Sequence, residues 1–186
     1  MIDLERALQI WERIYAESFT GQDRAPTIRL RYRRGADWWH ENERIDEPGN
    51  PEQVDGRQCS EIVDDDGGLI GRFFGFWGMT PEERAFMKEC ARSLGIRRLQ
   101  GIHGVYMEPR KELPPHLDKL PSRWNWAHTL ILSGQDAETS LYVDRKKVFA
   151  FKGVREFGFH PHHVVHGVVT GTEPFKVLQF TCPDQE

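Results

Sequence analysis

From residue 99 onward the chain is cut into short β-like runs, at 99–107, 127–133, 140–144, 147–151, 155–159, 163–169 and 175–181. Turn-forming stretches separate them, among them Ser133-Gly134-Gln135-Asp136, Lys152-Gly153 and Thr170-Gly171-Thr172-Glu173-Pro174. This is the most restrictive feature of the sequence. A short strand buries only one face and is unstable in isolation. Many of them at this spacing therefore close on one another as a sandwich or barrel. No glycine-rich phosphate loop precedes a helix, so nucleotide-binding folds have no support.

The first half reads differently. Leu4, Ala7, Leu8, Trp11, Ile14 and Tyr15 recur at helical spacing, which predicts an amphipathic helix over 4–16 that ends near Thr20-Gly21. A second helix starts at Thr80-Pro81-Glu82-Glu83, where Thr80 caps, Pro81 suits the first turn and Glu83 completes a capping box. It runs to Leu94, with Gly95 as the stop. Between the two, Ile28, Leu30 and Tyr32 alternate with Arg29, Arg31 and Arg33, a half-buried strand with a basic outer face. Residues 35–68 are rich in Gly, Pro, Asp and Glu and lack periodicity. They read as a long, lid-like excursion that carries Trp38-Trp39-His40. Phe73-Phe74-Gly75-Phe76-Trp77 reads as core. The expected organisation is one domain over 1–186, with the helices, strand and excursion in 1–96 and the β-roll in 97–182.

Composition narrows the function. The 186 residues carry 25 basic and 29 acidic side chains, a net charge of −4, which argues against electrostatic capture of nucleic acid. No run of about 18 apolar residues could cross a membrane as a helix. The start, Met1-Ile2-Asp3-Leu4-Glu5-Arg6, has no apolar signal core. Cys59, Cys90 and Cys182 are odd in number and have no CxxC spacing, so they read as reduced thiols of a cytoplasmic protein.

Five of the eight histidines follow residue 125. Ahead of them stands Pro114-Pro115-His116-Leu117-Asp118. In an extended segment His116 and Asp118 point the same way, so an imidazole and a carboxylate can share one metal ion. The third ligand comes from His160-Pro161-His162-His163-Val164-Val165-His166. Two histidines and one carboxylate leave one side of an octahedral ion open, as in the non-haem Fe(II) oxygenases. His166 is favoured as the third ligand, with His163 in reserve. The stretch from His166 to Lys176 reads as a hairpin that returns Lys176 beside His166. A lysine facing into a roll needs an anion there.

In these residues the sequence resembles the Fe(II)- and 2-oxoglutarate-dependent oxygenases, in the prolyl- and aspartyl-hydroxylase-like branch. That family carries an HxD pair, a distal histidine and a basic residue about ten positions later, here His116, Asp118, His166 and Lys176. The resemblance spans residues 97–182 and implies a double-stranded β-helix, that is, a cupin-like jelly roll. It implies Fe(II) held by His116, Asp118 and His166, with 2-oxoglutarate as cosubstrate and O2 as oxidant. Lys176 and Tyr106 would hold the far carboxylate of 2-oxoglutarate. The implied reaction is hydroxylation of a C–H bond, coupled to conversion of 2-oxoglutarate to succinate and carbon dioxide. The implied substrate is a small molecule or an amino-acid or peptide side chain. Two features depart from the family. Most members have Arg where Lys176 stands, and the second arginine of the nucleic-acid demethylase branch is missing from Val177-Leu178-Gln179-Phe180-Thr181-Cys182.

His128 alternates with Leu130 and Leu132 and is read as a possible contact of cosubstrate or substrate, against a role in the core. Trp124 and Trp126 are candidates for lining a pocket. Two rival readings share the roll. One is a cupin-type metalloenzyme that uses no 2-oxoglutarate and does not need Lys176. The other is a non-catalytic roll that binds a small anion.

Overall fold

A computed structural model describes residues 2–20, 27–34, 38–45, 59–118 and 126–183. They form helices α1 (Leu4–Phe19) and α2 (Pro81–Ser93). The strands are β1 (Thr27–Arg34), β2 (His40–Ile45), β3 (Cys59–Val63), β4 (Leu69–Gly75), β5 (Gly101–Met107), β6 (Glu112–His116), β7 (Trp126–Ser133), β8 (Glu138–Val143), β9 (Lys146–Lys152), β10 (Glu156–Phe159), β11 (Val165–Val169) and β12 (Phe175–Cys182). All seven predicted runs are strands. Neither helix is long and apolar enough to cross a membrane.

The helix ends follow their sequence signals. Asp3 accepts from the Arg6 N–H, and the Thr80–Glu83 capping box is complete. Gly95 takes φ +79° just past α2, where an L side chain would be strained. Asp144 and Arg145 both adopt positive φ between β8 and β9, the geometry of a two-residue hairpin turn that matches strand twist.

Strands occupy places where the sequence reads as irregular. β2 and β3 lie inside the 35–68 excursion, and β4 begins immediately after it. β3 is buried on both faces, which erases the alternation that marks a half-buried strand. β2 (HENERI) is polar but for Ile45 and is held by antiparallel pairing with β1, with Arg33 and Glu43 in an ion pair at 2.5 Å. The lid-like reading therefore fails for 40–45 and 59–63. Residues 35–37 and 46–58 of the excursion lie outside the described residues.

The strand order is β10-β7-β12-β5-β4-β3-β1-β2-β6-β11-β8-β9. From β5 onward the chain passes back and forth between two walls, with β8 and β9 together as one hairpin. β5, β7, β10 and β12 form the long wall, which β4, β3 and β1 extend. β6, β8, β9 and β11 form the short wall. This alternation defines a jelly roll, the double-stranded β-helix. β2 joins the walls through β1 and a parallel bridge at His40 and His116.

Each wall has an inner and an outer face. On the long wall, Met107, Ile131, Phe175 and Val177 face inward, into a cluster with Leu113 and Val168 of the short wall. Leu130, Leu178, Phe180 and Cys182 face outward, against Ala7, Ile10, Trp11 and Ile14 of α1. The Trp11 indole N–H donates to the Val177 carbonyl at 2.9 Å, fixing the helix to β12. All three cysteines are buried and none is joined in a disulfide.

Candidate metal centre

β6 and β11 are antiparallel neighbours, and His116 and His166 stand directly opposite each other in register. Both face inward. Asp118 follows β6 by two residues and returns to the same side. The structure thus brings together three side chains up to fifty positions apart. One ligand atom from each of His116, Asp118 and His166 lies within 4.8 Å of the other two. An oxygen of Asp118, Oδ1, is 3.4 Å from His116 Nε2 and 3.7 Å from His166 Nε2. Metal bonds of about 2.1 Å put neighbouring donors of one shell at such separations.

The ring orientations are fixed from behind. His116 Nδ1 lies 2.7 Å from the Pro114 carbonyl, and His166 Nδ1 lies 3.0 Å from the Val164 carbonyl. A carbonyl only accepts, so each neutral imidazole carries its proton on Nδ1 and turns the lone pair of Nε2 to the centre. The Asp118 N–H donates to the Pro161 carbonyl at 3.1 Å, and its own carbonyl lies 2.8 Å from His162 Nδ1. The 160–164 turn therefore clamps the Asp118 backbone. Tyr32 places its ring edge-on to His116 at 4.7 Å, and Phe159 does the same to His166 at 4.8 Å.

The protonation states suit a cation. Burial, aided by the neighbouring His116, pushes His166 down to about 4, so it is neutral at physiological pH. Burial opposes the charge of Asp118, but His166 and His116 outweigh it and hold the carboxyl below its usual range. Burial beside Asp118 keeps the Tyr32 phenol protonated. Metal ligands must be deprotonated in this way. The set fits a metal ion, and two imidazoles with one carboxylate and open positions match the donor set of a non-haem ferrous centre.

His166, and not the exposed His163, is the histidine brought to the centre. Three other expectations are corrected. β11 and β12 do not form a hairpin, because β11 pairs with β6 and β8 on one wall and β12 with β5 and β7 on the other. Lys176 and Tyr106 are paired in register, but on the outer face. Lys176 Nζ lies 2.7 Å from Glu12 Oε1 of α1 and 5.6 Å from the Trp11 ring centre. Tyr106 packs on Tyr15 at 5.3 Å. His128 shares that face, opposite Phe180, with Nε2 3.7 Å from Glu156. All three are turned away from the lumen. The cause is strand phase: inward residues of β12 are odd-numbered and those of β5 are odd-numbered, so Lys176 and Tyr106 are both out of phase.

Trp126 contacts His160 edge-on at 4.9 Å, and Trp38 contacts Tyr142 at 5.2 Å. Trp124 lies outside the described residues. Tyr32 and Phe159 are the centre's neighbours that sequence reasoning missed as such. Tyr32 reads only as the apolar face of a strand, and Phe159 only as a member of a run.

A jelly roll with an inward cluster of two histidines and one carboxylate is thus the class that fold and site define. No protein-family model and no curated protein matches the chain. Solved structures that it is similar to include a Pseudomonas putida prolyl-4-hydroxylase, at 14% identity, 61% of this chain, 72% of that one and a TM-score of 0.45. A 2OG-Fe(II) oxygenase family oxidoreductase from Burkholderia pseudomallei is 10% identical, over 60% of this chain and 68% of that one, with a TM-score of 0.43. A RmlC-like cupin protein from Desulfovibrio desulfuricans is 21% identical, over 46% and 73%, with a TM-score of 0.33. At such identities and scores they carry no functional argument, which rests on the site.

Proposed function

We propose that this protein is a mononuclear non-haem Fe(II) oxygenase that oxidises a C–H bond of a small organic, amino-acid or peptide substrate. The observation that carries the reading is the convergence of His116, Asp118 and His166 on one point inside the roll. His116 and His166 would hold the ion through Nε2 and Asp118 through its carboxylate. Bound there, ferrous iron supplies the means of activating O2 at positions the protein leaves open. The chain's own part is to keep the His166 imidazole neutral, to lock the tilt of both rings through Pro114, Val164, Tyr32 and Phe159, and to keep the surroundings apolar so that water is held off.

A second reading has its own support. Lys176, the residue to which 2-oxoglutarate was assigned, faces Glu12 on the outside of the roll. That favours a cupin-type enzyme that binds its organic substrate directly over one that anchors 2-oxoglutarate at Lys176. Elemental analysis after anaerobic reconstitution with Fe(II) tests the centre: about one iron per chain is expected, with a loss of at least about a hundredfold in affinity for Asp118→Ala and His166→Ala, more than a supporting residue costs. Iron retained by both variants would refute the ligand set. Succinate release on addition of 2-oxoglutarate separates the two readings.

A further inference from the structure

Two aromatic rings stand edge-on to the metal histidines, and they differ by one oxygen. Phe159 meets His166 at 4.8 Å and Tyr32 meets His116 at 4.7 Å. The two contacts brace the imidazoles alike. For that purpose an unsubstituted ring suffices, as Phe159 shows, so the Tyr32 hydroxyl is surplus to packing. The fold brings it there from the first half of the chain. β1, which carries Tyr32, pairs with β2, and His40 of β2 pairs with His116.

A phenol carried into the interior needs a hydrogen-bond partner. Among the described residues the Tyr32 hydroxyl has none, and no hydrogen bond joins it to Asp118. It is not sealed in either. Tyr32 is only partly buried, and its oxygen keeps contact with solvent, unlike enclosed orphan atoms such as His162 Nε2. Yet that oxygen lies deep, where burial first and then the charge of Asp118 oppose its ionisation. The Asp118 carboxylate is reachable too, its side chain 22% accessible against 3% for His116 and 8% for His166. A free hydrogen-bond donor and an accessible metal ligand thus neighbour each other in the interior.

We propose that the Tyr32 hydroxyl donates a hydrogen bond to an anionic ligand that binds the metal from solution, and so selects for what takes the open positions. This rests on the metal-centre reading above and adds a residue that touches the ligand. A phenol held protonated can only offer its proton to an acceptor. Lys176 is tied to Glu12 outside the roll, so the donor that meets the anion is neutral. A hydrogen bond to a charged acceptor is among the stronger ones, and a neutral donor supplies it without placing a second charge in the interior.

Azide binding to the cobalt-reconstituted protein decides it. Cobalt(II) takes the same imidazole and carboxylate donors and reports its surroundings by visible absorption. The full chain is loaded with cobalt and titrated with azide, and cobalt content is determined on the same samples. Tyr32→Phe is expected to weaken azide at least about tenfold, as for loss of one hydrogen bond to a charged group. Its cobalt content, azide-free spectrum and unfolding midpoint should match the wild type, because the ring contact with His116 stays and the deleted hydroxyl has no partner in the free protein. Equal azide affinity at equal cobalt content overturns the inference, as does a cobalt-loaded wild type that binds no azide. Loss of cobalt from Tyr32→Phe alone also overturns it, since the hydroxyl would then support the ligands and not the guest. A wild type that takes up no cobalt overturns the metal-centre reading itself, an outcome distinct from the other three.

Discussion

The two faces of the long wall are built from the same strands and do opposite work. On the outer face, Leu130, Leu178 and Phe180 seat α1, and the charged and polar residues among them, Lys176, Tyr106 and His128, are tied to Glu12, Tyr15 and Glu156 or to the core. On the inner face, one position away along each strand, stand Thr181, Gln179 and His103. On the outer face Lys176 has its partner in Glu12 of α1. The Thr181 hydroxyl on the inner face has none. The difference teaches that a chemically suggestive residue acquires its role from strand phase, which a change of one position inverts.

The comparison can be broken most severely at the helix seat. Trp11 is 1% exposed, packs on Tyr15, Phe74 and Tyr106, and donates to Val177. Trp11→Ala is expected to cost about 3–5 kcal/mol in urea unfolding, as for other large aromatic truncations in a core. A cost below about 1 kcal/mol would mean that α1 does not hold the outer face.

The inner face offers a test by pH. Burial holds His103 at about 4 in the folded protein against 6.5 for the free side chain. The unfolded chain therefore takes up the proton first as pH falls. The contribution is intact above about 6.5 and is lost on going down towards 4, up to about 3 kcal/mol in all. Comparing the unfolding free energy of the wild type and His103→Leu across this range should show a steeper acid loss in the wild type. Parallel curves would show that His103 is not buried and neutral.

The smallest effect is expected at Lys176. Its pair with Glu12 is partly exposed, with side chains 22% and 52% accessible, so Lys176→Met should change stability by less than about 1 kcal/mol. Iron content and the binding of 2-oxoglutarate should stay as they are. A large loss of 2-oxoglutarate binding in this variant would return Lys176 to the lumen and reverse the assignment of faces.

Much of this was legible in the chain. The helix boundaries at Asp3, Thr80 and Gly95 are local hydrogen-bond chemistry, and the strands of the second half announce themselves by turns and apolar content. The pair His116 and Asp118 shares a side because extended residues two apart always do. The strands β2 and β3 were hidden, since a mostly polar strand and a strand buried on both faces lack the alternation that would reveal them. Lys176, Tyr106 and His128 were misplaced because spacing along the chain carries no record of which face of a wall a strand presents.

What the sequence by itself determined is the set of local elements and the residue types able to bind a metal, because caps, turns and alternation depend only on near neighbours. The tertiary structure alone decided that His166 stands opposite His116 and that Lys176 binds α1 from outside. It alone packed the Thr181 and His103 side chains together over Gly101. Those facts depend on the register between strands far apart in the chain, and register is set by how the two walls and the helix bury their apolar faces together.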